Sequence, residues 1–442
     1  MAETTQKLEA EFTKVETKIH RFPRGLRGIG GDGGRYIAPS VVAIGPYHHD
    51  KPHLQKMEEV KLAAAYYLCR SINHSTAVVY EKVRSVVGAA RGCYDADDPS
   101  VAGVSDADFA AMMFLDGCFL LQYMVDDAAA PVLRNRMTLS TGPSIQKDIF
   151  LLENQIPWLV LDALAEFMPV DMHGFVTGMG EMFLPAGKAK AEDGRCCMPW
   201  RCNPAPKTQI EKRRGVGSST DVSEPYKPPH LLGLLRFTKV GCMPTHDRIY
   251  TGIPSSLSSS AVELAEIGVM LKPSTKPWFG DIRVHRRHRL FGELSLSPLF
   301  LSEVTACWLV NMAALEASTS GAISSAAESS DGFVVSSYLS VLAMLMDRKE
   351  DVHELRRRGL LHGALSNKQA LGFFKGLGQH LRFGSRYFAT LEGIDSYKRH
   401  KSVRITVYKF VYNNYRFIAA FLSVTGVLIG IFKTLLSLKR HC

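Results

Sequence analysis

DIFLLENQIPWLVLDAL, residues 148–164, is the stretch on which the fold turns. It sets three polar residues, Glu153, Asn154 and Gln155, between two apolar runs and follows them with Pro157. The apolar spacing predicts a helix over Ser144–Met168. Proline removes one backbone donor and clashes with the carbonyl four residues back, here that of Glu153, so the helix must kink or restart. Backbone groups freed by such a break need partners when buried, and the polar triplet stands where those groups fall. One reading is an internal network that satisfies the broken helix. The other is a polar site at the kink, with Asp116 or Asp148 as a second carboxylate. Networks of the first kind are the commoner, and that reading is preferred.

Helical periodicity continues on both sides. In KMEEVKLAAAYYLCRSI, residues 56–72, Met57, Val60, Ala64, Tyr67 and Leu68 recur on one face. FAAMMFLDGCFLLQYMV, residues 109–125, is apolar nearly all round and therefore internal. Its one acid, Asp116, has Met112, Met113, Phe119 and Leu120 as helical neighbours, so it must be paired or hydrogen-bonded. HLLGLLRF (230–237) packs again, and Ser260 with Glu263 fits a capping box. Helices are expected at 299–316, 333–348 and 366–381, the last opened by Ser366 and Gln369, with a final helix from about 385. Weak alternation at 281–284 and 293–296 predicts a small β-hairpin.

The expected fold class is mainly α. Residues 1–35 form a flexible arm and glycine-rich loop, and one large helical domain covers 36–400. It is interrupted at 181–229 by a stretch rich in Pro, Gly and charge, with no apolar period, which is expected to be disordered. A basic juxtamembrane helix (401–416) and a transmembrane helix (417–438) follow. The composition, 46% hydrophobic and 22% charged over 442 residues, is that of a globular protein. Nine cysteines are too few for a disulfide scaffold and fit a reducing compartment.

The formal charge of +10 raises the question of nucleic acid, and its distribution answers it. Residues 187–214, 396–416 and the C-terminal tail hold +14, leaving −4 for the rest. A mildly acidic body excludes a nucleic-acid groove and no such partner is expected. The cations Lys398, Arg399, Lys401, Arg404, Lys409 and Arg416 precede FIAAFLSVTGVLIGIF (417–432), 16 residues without charge. Counted to Leu438 the run is 22 residues, about 33 Å of helix and enough for a bilayer core, provided Lys433 snorkels. Tyr408, Tyr412 and Tyr415 resemble an interfacial belt. The six cations are read as contacts to anionic lipid. MAETTQKLEAEFTKVETKIHRF has no apolar core, so no secretory signal is expected. The positive-inside tendency then predicts a tail-anchored protein with a cytosolic body.

Catalytic and cofactor motifs fail on context. Gly28, Gly30 and Gly33 spell G-x-G-x-x-G without a preceding strand or a following helix. His48, His49 and His53 cluster beside Pro52, which argues against the helical spacing a zinc site would use. Cys196, Cys197 and Cys202 lack a second knuckle. His353-Glu354 is followed by Arg357 where H-E-x-x-H needs histidine. Asn73 begins a glycosylation sequon. No metal and no cofactor are expected.

Several segments together resemble the plant family grouped as domain of unknown function 247. They are IHRFP, YIAPSVVAIGPYHHDKPHLQKMEEVK, FAAMMFLDGCFLL, DIFLLENQIPWLVLDAL, PPHLLGLLR, SAVELAEIGVMLK and SSYLSVLAMLMDRKEDVHELRRRGLLHGAL, in family order over about 19–438. The resemblance implies a mainly helical plant protein with a C-terminal membrane helix and no established enzymatic activity. This chain departs from the family at Asp50, usually glycine, and at YNNYRF before the membrane helix. The leading expectation is a membrane-anchored module that binds other proteins. The alternative is a membrane-tethered hydrolase or transferase with a site built from His48, His49, Asp116, Asp148 and Glu153. The two differ in geometry: an enzyme needs those groups on one reachable pocket, a module leaves them in separate networks.

Overall fold

The computed structural model describes residues 19–29, 34–72, 74–125, 141–185, 227–240, 259–286, 292–319, 332–400 and 402–440. Helices dominate them. α1 (Glu58–Ser71), α2 (Thr76–Arg91), α3 (Asp106–Met124), α4 (Gly142–Ile149), α5 (Trp158–Ala165) and α6 (Met172–Glu181) make the N-terminal half. α3 is its axis and packs on α1, α2 and α5. Phe109, Met113, Cys118, Phe119 and Leu121 are wholly buried, as an all-round apolar helix requires. At the α3–α5 crossing a Cβ on Gly117 would fall 2.4 Å from Leu164, so only glycine lets these helices approach so closely.

The helix expected over Ser144–Met168 is instead two. α4 stops at Ile149, residues 150–157 run irregular and buried, and α5 restarts at Trp158 with Pro157 in the N-cap position. Proline suits the turn before a first helical residue, and the Trp158 N–H goes to the Pro229 carbonyl at 2.9 Å. On α1, Tyr67 is half-buried whereas Lys61 occupies the inner face.

The second half comprises α7 (Leu231–Val240), α8 (Ala261–Glu266), α9 (Glu303–Thr319), α10 (Val334–Leu345), α11 (Lys349–Arg357), α12 (Asn367–Gly378), α13 (Ser385–His400) and α14 (Ser402–Arg440). The capping boxes at Ser260/Glu263 and Ser366/Gln369 form as expected. The hairpin is present as β2 (Arg283–Arg286) antiparallel to β3 (Gly292–Leu296), with Val284 opposite Leu294. A strand missed in the sequence, β1 (Val269–Pro273), adds in parallel to give the order β1-β3-β2. Residues 299–301, expected to open a helix, form β4 (Leu299–Leu301), which pairs in parallel with β5 (Leu361–Gly363). α9 begins only at Glu303.

Both ends of the span expected to be disordered are packed. Phe183 is fully buried, with its ring centroid 5.5 Å from Phe279 and 5.9 Å from Trp308. The expectation of disorder for 186–226, with Cys196, Cys197 and Cys202, lies outside the described residues, as do the arm before Ile19, Gly30, Gly33 and Asn73. α14 carries an apolar run, Asn414–Lys433, of 20 residues with mean hydropathy 1.9 and none of it buried. At about 1.5 Å per residue it is roughly 30 Å long, sufficient to cross a bilayer core. The run begins three residues before the expected 417 and puts Lys433 at its edge.

Candidate functional site

Residues 36–49 cross the body with a single 3-10 turn at Pro46–His48 and no strand, and residues 42–48 are buried. Side chains from α3, α4 and the break at 150–157 satisfy their backbone groups in sequence order. Asp148 accepts from the N–H groups of Ser40 (2.9 Å), Val41 (2.7 Å) and Val42 (3.1 Å). Asn154 accepts from Ile44 N–H at 2.7 Å and donates to the carbonyls of Val42 (3.0 Å) and Asp148 (2.9 Å). Asp116 accepts from Gly45 N–H at 2.7 Å, where φ is 77° and the Gln155 carbonyl leaves no room for a Cβ. Asn311 of α9 accepts from Leu152 N–H at 2.8 Å and donates to the Tyr36 carbonyl at 2.9 Å.

Gln155 closes the broken helix on itself. Its amide donates to the carbonyls of Ile149 (2.6 Å) and Leu151 (2.8 Å), and its oxygen accepts from Leu232 N–H at 3.1 Å. The first two are carbonyls at or just beyond the end of α4, and the third is an N–H of the first turn of α7; the Glu153 carbonyl, which Pro157 was expected to free, is not among them. The network reading of the triplet is thus the one the geometry carries.

Two of the carboxylates have cations. Asp116 meets Lys61 Nζ at 2.6 Å, both side chains about fully buried, and Glu58 flanks the lysine at 2.6 Å. Burial pulls the Lys61 pKa down, but Asp116 and Glu58 outweigh it and hold the ammonium above its usual range. Glu153 accepts from Phe22 N–H (2.8 Å) and Arg21 Nη1 (2.9 Å), with His48 Nε2 at 3.3 Å. Burial opposes its charge, yet His48, the Phe22 amide and Arg21 together lower its pKa. Arg21 also grips Asp98 through Nε at 2.7 Å, and its guanidinium lies 3.9 Å from the centroid of the Tyr47 ring. For Asp148 burial dominates and raises the pKa, against three amide donors and the charge of Lys147.

The five residues of the enzyme alternative are therefore not gathered. His48 and Glu153 meet, whereas Asp116 and Asp148 sit in separate contacts. His53 Nε2 lies 3.4 Å from the Pro39 carbonyl. Three cavities, of 430, 280 and 180 Å³, are lined by none of the five. Among the described residues no three His, Cys, Asp or Glu side chains are arranged to hold a metal. Sequence reasoning missed Lys61, Arg21 and Asn311. Lys61 had a legible signal, since it falls between Met57 and Ala64 on the apolar face of α1.

Of the six cations read as lipid contacts, Lys398 donates to Ser259 Oγ at 2.6 Å and Arg399 pairs with Asp395 at 2.5 Å. Arg416 donates to the Tyr415 hydroxyl at 3.2 Å. The side chains of Lys401, Arg404 and Lys409 lie outside the described residues.

Arg21 thus latches residues 19–29 to the body. Arg21→Ala is expected to expose Arg24 and Arg27 to trypsin at neutral pH and to cost about 1.5–3 kcal/mol, the worth of hydrogen bonds to charged groups. Acid should do the same to the unaltered chain. Carboxylates with lowered pKa stabilise above their unfolded values and lose that contribution as pH falls through the folded ones. Asp98, held at about 2 chiefly by its hydrogen bond to Arg21, and Glu153 place the release between roughly pH 4.5 and pH 2. Digestion rates of this segment unchanged by the substitution would remove the latch.

UPF0481 protein At3g47200 of Arabidopsis thaliana is 24% identical over 361 residues, covering 78% of this chain and 69% of that protein. A second UPF0481 protein of the same plant, At3g02645, is 30% identical over 165 residues, 36% of this chain and 29% of its own length. No solved structure matches. The family model for DUF247, described as a plant protein of unknown function, matches residues 19–429, a span that takes in the latch, the broken helix, Asp116 and most of the apolar C-terminal run. The chain belongs to the DUF247 family of plant proteins.

Proposed function

We propose that this protein is a single-pass membrane protein whose helical body faces the cytosol and serves as a protein-interaction module. The observation that carries the reading is the 20-residue apolar run of α14, left wholly exposed by the body. Phe417, 78% exposed, and Phe421, 72% exposed, would be costly in water over so long a contiguous stretch. Five cations, Lys398, Arg399, Lys401, Arg404 and Lys409, precede the run and Arg416 lies in its first turn, against Lys439 and Arg440 beyond it, which by the positive-inside tendency keeps the body cytosolic. A binding role in place of catalysis is supported by the separation of Asp116, Asp148 and Glu153, each engaged in holding the chain together.

The test is fractionation of plant microsomes containing the full chain. Retention through carbonate extraction, lost on deleting 414–442, is expected, with the body digested by protease added outside sealed vesicles. A body that stays protected, or a glycan on Asn73, would invert the topology. Release by carbonate would end the membrane reading.

A further inference from the structure

α4 and α9 pack against each other, and the cavity of 180 Å³ is lined by the first turn of each. Pro143 and Lys147 come from α4, Val304 and Cys307 from α9, and Arg35 and Tyr36 from the start of the segment that crosses the body.

Tyr36 is only 7% exposed, yet its hydroxyl has no hydrogen-bond partner among the described residues. A buried hydroxyl left in that state costs the fold free energy, which an acceptor on a ligand would recover. Burial raises its pKa, with the charge of Arg35 offsetting part of the rise and Cys307 adding to it, so the group is a donor at neutral pH. Lys147 is half-buried and makes no salt bridge among the described residues. Its neighbour Asp148 is taken up by the amides of Ser40, Val41 and Val42. Arg35 pairs with Glu303 at the rim, where both are about half exposed. Two cations against one carboxylate leave the lining with one positive charge in excess, and the N-terminal ends of two helix dipoles add to it. Burial pushes the Cys307 thiol up to about 12, so no thiolate opposes an anion there.

We propose that this cavity binds a small carboxylic acid, its carboxylate against Lys147, Arg35 and the Tyr36 hydroxyl and its apolar body against Pro143 and Val304. The charge selects an anion. The apolar wall selects one carried on hydrocarbon over inorganic phosphate, in keeping with pockets that set a few polar groups among apolar ones. Size agrees as well, since a cavity of about 150 Å³ accommodates a benzene ring. The site goes beyond the interaction reading above and does not depend on the membrane anchor.

The full chain in non-ionic detergent is titrated with para-fluorobenzoate and with its uncharged counterpart para-fluorobenzamide, and the fluorine NMR line width of each probe is followed. A dissociation constant of about 1 mM or below is expected for the benzoate, with the benzamide at least about tenfold weaker. Tyr36→Phe removes a hydroxyl that bonds nothing in the fold, so thermal unfolding should be unchanged or shifted upward while benzoate binding falls about tenfold. Lys147→Met should weaken the benzoate by about tenfold or more and leave the benzamide as it was. Equal binding of the two probes, or benzoate binding that either variant leaves unchanged, overturns the proposal. Absence of benzoate binding at ten times the expected constant does the same. Displacement of the benzoate by equimolar inorganic phosphate overturns it in favour of an inorganic anion.

Discussion

Asp116→Ala is expected to destabilise the body by about 3–5 kcal/mol, the cost of leaving one member of a buried ion pair without its partner. Lys61 is wholly buried 2.6 Å from Asp116. With the carboxylate gone, its ammonium keeps only the partly exposed Glu58, and the Gly45 N–H loses its acceptor. The ammonium would then shed its proton or draw water into the packing of α1 on α3. The double variant Lys61→Met with Asp116→Leu separates charge from shape. It removes both charges and should recover the part of the loss due to the isolated ammonium, because buried pairs are often no better than well-packed apolar side chains. The part due to the Gly45 N–H stays. Denaturant melts of the detergent-solubilised chain followed by helical circular dichroism measure all three proteins. A double variant as unstable as Asp116→Ala would show that the pair, and not the avoidance of an isolated charge, holds α1 to α3.

The same pair shows where the sequence was legible and where it stopped. Asp116, ringed at helical spacing by Met112, Met113, Phe119 and Leu120, announced a buried acid that needed a partner. The partner's identity depended on how α1 lies across α3, which no local pattern encodes. Pro157 likewise announced a broken helix, and the neighbouring Glu, Asn and Gln announced its repair. The N–H donors they accept from, at Ile44, Leu232 and Phe22, are distant in sequence and were not readable. Short parallel pairings were missed for the same reason. β1 reads as no regular element, and Leu299–Leu301 as the head of α9, until their partners at 292–296 and 361–363 are in place.

Lys239 carries the opposite expectation from Lys61, because it is buried without a close carboxylate. Leu232, Leu235 and Lys239 share the inner face of α7, so a lysine occupies a core position. Its Nζ donates to the Gly180 carbonyl at 3.2 Å and lies 5.5 and 5.4 Å from the Phe183 and Phe279 ring centroids. Burial brings its pKa from 10.5 down to about 8, with the charge of Glu181 offsetting only part of the loss. For a base whose folded pKa is lowered, the charged form penalises the fold. The full penalty, about 3 kcal/mol at 1.36 kcal/mol per unit, is present below pH 8. Between pH 8 and 10.5 the folded chain releases the proton first, so stability rises with pH. Lys239→Met is therefore expected to stabilise the body by about 2–3 kcal/mol at pH 7, less whatever the Gly180 carbonyl loses with its donor. The advantage should shrink toward pH 9.5. Measurements belong below pH 10, because the buried hydroxyls of Tyr94 and Tyr338 keep their protons in the fold after the unfolded chain has lost them, which lowers stability from there upward. Paired melts of the two proteins at pH 7 and pH 9.5 decide the matter. A methionine variant less stable at pH 7 would mean that the two aromatic rings and the carbonyl hold the ammonium more strongly than water does, making Lys239 a strut of the α6–α7 contact instead of a buried liability.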